Sequence, residues 1–170
     1  MHMINFIRQD ADYNQWANGV MGQWIGQITE DQSRQELVSS FPSVNKTLQH
    51  IWLSQWIWVS RLEGSPFDPA QAKREGITRE DLMKGILDTG SQFQTFCNAL
   101  QEENLADPVS YKNLKGEPYT NSLYQVLTHV FNHSAFHRGQ VVTLLRQVGF
   151  TGLSSTDMIT YYRLQNAAAR

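Results

Sequence analysis

The sequence predicts an all-α chain, an antiparallel four-helix bundle plus a short C-terminal helix, and three observations carry that expectation. Four long segments repeat apolar residues at three- and four-residue steps, and no comparable alternating run competes with them. Helix-start and helix-stop residues bracket those segments. The chain has 170 residues, 41% of them hydrophobic, which is enough for one buried core. We therefore read residues 1–170 as a single domain of packed helices.

The first predicted helix covers residues 4–28 and carries Ile4, Phe6, Ile7, Tyr13, Trp16, Ala17, Val20, Met21, Trp24 and Ile25. Residues 29–41 are polar and read as a connection. After Phe41-Pro42, Ser43 is the expected N-cap of a second helix that runs through His50 and stops near Glu63-Gly64. Residues 65–69 form a turn-rich break. The third helix starts at Thr78, with Asp81 placed to complete a capping box, and runs to about residue 103. Its buried stripe is Leu82, Ile86, Phe93, Phe96, Cys97 and Leu100. Residues 107–119 suggest a small hairpin or an irregular loop around Asn113–Gly116. The fourth helix opens at Thr120-Asn121-Ser122 and ends at Val148, capped by Gly149, and a final short helix covers 155–165. The first two inter-helix connections are long enough to cross the molecule rather than turn straight back.

The second helix is apolar on almost every side, whereas a bundle helix normally keeps a wet back. A homodimer with tryptophan anchors on this helix is the preferred explanation. The alternative is that its indoles lie half exposed under connecting loops.

Charge excludes several classes of function. Fourteen basic residues face sixteen acidic ones, with no basic stripe for phosphate beyond the Lys73-Arg74 pair beside Glu75, so nucleic acid is not an expected partner. The single Cys97 cannot form an internal disulfide and reads as a core residue. The longest apolar run, residues 51–59, is too short to span a membrane. The start of the chain lacks the build of a signal peptide, so a cytoplasmic location is expected.

The fourth helix holds His129, His133 and His137 at four-residue steps. With His129 at zero, the apolar residues cluster at about 60–120° and His133 and His137 fall at about 40° and 80°, so these two imidazoles point into the apolar stripe while His129 sits on its border. Two imidazoles one turn apart can offer nitrogens to one metal ion. They can equally be core residues hydrogen-bonded to each other or to buried water. A third ligand would have to come from another helix, and His50 is the remaining interior histidine.

The string His133-Ser134-Ala135-Phe136-His137-Arg138-Gly139-Gln140 resembles the signature of the DinB family, the DinB/YfiT-like metalloenzyme superfamily. Tyr13-Asn14-Gln15-Trp16-Ala17-Asn18, Leu48-Gln49-His50-Ile51, Trp58 and Arg61-Leu62-Glu63-Gly64 are similar to its first two helices. Asn113 and Gly116 fit the loop before its fourth helix, and Tyr161-Tyr162 its closing one. The resemblance spans essentially the whole chain. It implies a four-helix bundle with one long crossover, often dimeric, and a divalent metal held by His50, His133 and His137. His129 is not one of the implied ligands.

Three neutral imidazoles would leave an ion with its full charge and an open position, the arrangement of catalytic sites. Zinc is the first expectation and nickel the next, with iron or manganese also compatible. The wider superfamily implies a thiol S-transferase or hydrolase, acting on a small molecule, with a low-molecular-weight thiol as possible cofactor. No catalytic residue is assigned, because no nucleophile or acid–base pair stands out. A non-catalytic metal module for stress response and a structural bundle with core histidines are the alternatives. Gln140 is placed to hydrogen-bond a ligand imidazole, as, more weakly, are Asn14 and Tyr13. Arg138 is expected to pair with an acid, and Gly139 suggests close helix approach or room for a ligand.

Overall fold

The computed structural model describes residues 2–65, 67, 76–113 and 115–168. The chain is mostly helical, with one small sheet among the described residues. The long helices are α1 (Met3–Ile25), α3 (Val44–Glu63), α4 (Arg79–Ala99) and α5 (Leu123–Gln147), with the short α2 (Glu30–Arg34) and α6 (Met158–Ala168) beside them. Most of the turn-rich break after Ser65, the Lys73-Arg74 pair and Leu114 lie outside the described residues.

Local chemistry sets the helix ends. The Ser43 hydroxyl accepts from the Lys46 amide, and Thr78 and Ser122 form full capping boxes with Asp81 and Gln125. α3 stops at Gly64, whose φ of 65° suits a residue without Cβ. Several boundaries differ from the sequence reading, and α1 stops at Ile25 rather than at residue 28, with Gly26 as its C-cap. The polar 29–41 connection contains α2, started by a Thr29–Gln32 capping box. α4 ends at Ala99 because Leu100 turns to extended backbone, and a 3-10 turn (Glu102–Ala106) follows. The closing helix begins three residues later than expected, at Met158. The 107–119 segment does form a hairpin, β1 (Pro108–Lys112) against β2 (Pro118–Ser122), with Tyr111 opposite Tyr119.

The core divides into two apolar clusters. One gathers Met21, Trp24 and Ile25 of α1 with Leu48, Ile51, Leu82, Ile86, Leu144 and Leu145. The other gathers Ile4, Ile7 and Ala11 with Val59, Phe93, Cys97, Leu123, Leu127 and Val130. Between them, at the middle of each long helix, the buried residues turn polar: Asn14 and Asn18, Gln55, Thr89, and Ser134, His137 and Arg138. Burying so many polar groups is tolerable only where they bond one another. Gln55 Nε2 accordingly donates to Ile86 O at 2.8 Å and to Thr89 Oγ1 at 2.7 Å. This polar belt positions the histidines.

On the apolar back of α3, Trp52 and Trp56 stack at 5.7 Å and remain half-buried. Trp58 is covered edge-on by Tyr111 of the hairpin at 5.0 Å. Gly85 of α4 lies under the Trp52 indole, where an added Cβ would run into the ring. Among the described residues, no helix is long and apolar enough to cross a membrane.

Candidate metal centre

His50 projects from α3, and His133 and His137 project from successive turns of α5. Their Nε2 atoms form a closed triangle, with His50–His133 at 3.3 Å, His50–His137 at 3.1 Å and His133–His137 at 3.1 Å. Ligand nitrogens bound at zinc-like lengths and near-tetrahedral angles stand about 3.3–3.4 Å apart. The triangle therefore fits one ion, and it is compatible with metal binding.

Protonation agrees with that fit. Burial first, and then the neighbouring imidazoles, lower His50 and His133 to about 4. His137 is lowered by burial and partly restored by Gln140. All three are thus neutral at pH 7. His137 Nδ1 lies 2.7 Å from Gln140 Oε1, so Nδ1–H donates to that carbonyl and the Nε2 lone pair turns to the triangle. Three inward lone pairs repel one another unless a cation or proton sits between them.

The surroundings shield one side. Phe41 stacks on the His50 ring at 4.2 Å and meets His137 edge-on at 5.8 Å. The sequence reading missed Phe41. Its position just before the α3 cap was read only as a helix start, and nothing in the spacing ties it to a histidine nine residues away.

The model of the DinB family matches residues 3–168. The chain belongs to the DinB family. Protein DinB of Bacillus subtilis (strain 168) is 28% identical over 164 residues, covering 94% of this chain and 95% of that protein. A DinB-like protein from Bacillus cereus ATCC 10987 superposes with a TM-score of 0.69 at 17% identity, covering 91% of this chain and 99% of the other. A DinB-like protein from Bacillus subtilis gives 0.64 at 17% identity, covering 88% and 97%. These two share the fold.

Within this DinB-family chain, the expected triad of His50, His133 and His137 comes together, and Gln140 takes the orienting position expected of it. Other expectations change. Asn14 and Tyr13 do not reach the imidazoles: Asn14 accepts from Arg138, and the Tyr13 hydroxyl donates to Thr156 O at 2.8 Å. Arg138 pairs with no acid among the described residues. It is 3% exposed, and its Nη1 donates to Asn14 Oδ1 at 2.5 Å and Asn18 Oδ1 at 3.0 Å. The physical reason is the polar belt, in which α1 presents amides rather than carboxylates to α5.

Gly139 is not a point of close helix approach, since a Cβ there would meet nothing within 4 Å. Removing backbone freedom at an open helical site should stabilise the fold. Gly139→Ala is expected to gain about 0.5–1 kcal/mol in urea unfolding. A loss of stability would show that the open space is needed.

Cys97 lies apart from the triad, fully buried among Phe93, Leu100 and Leu127. Burial pushes its thiol up to about 12. It should therefore ignore a disulfide-exchange reagent at pH 8 in native protein and react at once in guanidinium. Rapid native labelling would contradict the buried position.

Proposed function

We propose that the chain is a metal-dependent enzyme in which His50, His133 and His137 hold one divalent ion, zinc first and nickel next, for a thiol S-transferase or hydrolase reaction on a small electrophile. The observation that carries this reading is the Nε2 triangle, three neutral donors with no carboxylate in the set. When bound, such an ion lowers the pKa of a thiol or water towards neutrality and polarises a carbonyl.

The chain's own residues do the rest. Gln140 fixes the His137 tautomer, so that its lone pair is always on the inner nitrogen. Phe41 seals one face of His50 against water. No internal thiol is free to act, because Cys97 is buried and protonated, so an attacking thiol comes from solution as a low-molecular-weight cofactor.

The same reading takes the four long helices as an antiparallel bundle with one long crossover. It is supported by the way α3 and α4 both enter the core at the Leu48–Leu82 cluster, while α1 and α5 both enter at the other. A homodimer through α3 belongs to the proposal, on the half-buried stack of Trp52 and Trp56. Sedimentation should then report twice the 19.5 kDa chain mass.

The activity is tested by coupling low-molecular-weight thiols to 1-chloro-2,4-dinitrobenzene with zinc- and nickel-loaded protein, and by ester hydrolysis in parallel. Native protein is expected to exceed His133→Ala by at least a hundredfold in one of the two assays. Equal rates in both would remove the enzyme reading and leave a non-catalytic metal module.

A further inference from the structure

Beside the triad, the hairpin closes over α3 and α5 to form a cavity of about 250 Å3, lined by Trp58, Tyr111, Asn121, Gln125, Val126 and His129. It continues the line of the metal centre. His129 lies one helical turn from His133, with ring centroids 5.7 Å apart, and Trp58 lies two turns from His50 on the same face of α3. The residue between them on that face is the small Ser54.

The walls are held in place before any ligand arrives. The Arg61 guanidinium sits 4.6 Å from the Trp58 ring and 4.9 Å from the Tyr111 ring, and its Nη2 donates to Lys112 O at 2.7 Å. The Tyr111 hydroxyl donates to Asn121 Oδ1 at 2.9 Å, and Asn121 Nδ2 donates to Gln125 Oε1 at 3.1 Å. His129 meets Trp58 edge-on at 5.4 Å, and among the described residues its ring makes no hydrogen bond. Among the described residues the Trp58 Nε1, Gln125 Nε2 and His129 ring nitrogens of the lining make no hydrogen bond, and of these groups the His129 ring lies against His133 of the triad.

We infer that this cavity binds the organic part of the substrate, an uncharged planar group carrying a carbonyl, with the His129 imidazole N–H donating to that carbonyl on the side of the metal centre. Arg61 already lies over the Trp58 and Tyr111 rings and Tyr119 stacks on Tyr111, so these residues act as fixed aromatic walls that favour an apolar, ring-sized partner. Among the described residues no lysine, arginine, aspartate or glutamate lines the cavity, which disfavours a charged one. The volume is below the ~300–1,000 Å3 of sites for drug-sized ligands, so the bound portion is about one substituted ring. His129 is here a binding residue that presents the carbonyl to the triad. The inference rests on the metal-centre reading for its chemical purpose but not for the cavity itself.

The test titrates zinc-loaded protein with benzamide, benzoate and benzylammonium, following ligand and histidine-ring NMR signals, with bound zinc measured on the same samples. Benzamide is expected to bind with shifts at the His129 ring, and the two charged analogues at least fivefold more weakly. His129→Leu, at an exposed position that should not impair folding, should weaken benzamide at least fivefold while retaining native zinc. Tyr111→Leu should weaken it as well. Equal benzamide binding by native and His129→Leu protein, equal binding of all three ligands, or no binding by zinc-loaded native protein would each overturn the inference. Benzamide binding that depends on His129 in protein unable to hold zinc would support the cavity while refuting the metal centre.

Discussion

His137→Ala should purify without its metal. The substitution removes one corner of the Nε2 triangle and leaves Gln140 Oε1 without its donor. Losing an outer-shell partner of a metal ligand costs roughly 10–100-fold in affinity, so losing a ligand itself costs more than about a hundredfold. Native protein prepared without chelator, analysed by mass spectrometry, should carry close to one ion per chain, and the variant less than about a tenth of that. His137 is buried, so its removal also leaves a small cavity, and a variant that failed to fold would lose metal for the wrong reason. His50→Ala separates the two explanations, because that imidazole comes from α3 and is only half-buried. Both variants should keep a native-like circular dichroism spectrum and both should lose the ion. Gln140→Leu should fall between them and native protein. Stoichiometric metal in both alanine variants, or a native protein that neither retains nor rebinds an ion, would refute the metal centre.

Arg138→Ala should be the most destabilising single change in the polar belt, by about 3 kcal/mol. Three terms set that figure. Two buried amide oxygens, on Asn14 and Asn18, lose their donor, at about 1–3 kcal/mol each. A long side chain leaves a cavity. Against these, the native state no longer carries a buried cation faced only by neutral acceptors, whose desolvation is itself costly. Burial already pulls the Arg138 pKa below its ordinary value. For a chain this long the loss corresponds to a melting temperature lower by about 10 °C. A double-mutant cycle between Arg138→Met and Asn14→Ala should give a coupling of at least about 1 kcal/mol, since the two share a hydrogen bond. Zinc content should not change, because the guanidinium faces α1 while the imidazoles face α3. Loss of zinc without loss of stability would show that Arg138 belongs to the metal centre instead.

The parts of the fold that could be read in advance were those governed by short-range chemistry. Ser43, Thr78 and Ser122 begin helices because their hydroxyls satisfy amides two or three residues on, which is a property of neighbouring residues. The same holds for Gly149, whose φ is 83°. The capping signature Thr29–Gln32 was equally local, yet α2 went unread because a five-residue helix with only Ser33 buried has no apolar period. The end of α4 was placed four residues too late, since Leu100 continues the apolar stripe and only its extended backbone breaks the helix.

For the site, spacing placed His133 and His137 on one face of α5, because four residues return nearly to the same angle on any α-helix. His50 is 83 residues away, and its place in the triad was implied by family resemblance rather than by any pattern in the chain. Arg138 was expected to find a carboxylate, and it found Asn14 and Asn18 because α1, and no acidic face, packs across that side of α5.

The sequence by itself therefore determined the four long helices, the N-caps of α3, α4 and α5 and the pair of imidazoles on α5, all consequences of interactions within a few residues. Only the tertiary structure decided that His50 closes the triangle, that Phe41 covers it, that the hairpin walls a cavity beside His129, and that Arg138 is held by amides. Each of those depends on which faces of distant helices meet. That is settled by the summed burial of the two apolar clusters, and the polar belt between them takes the partners this packing leaves.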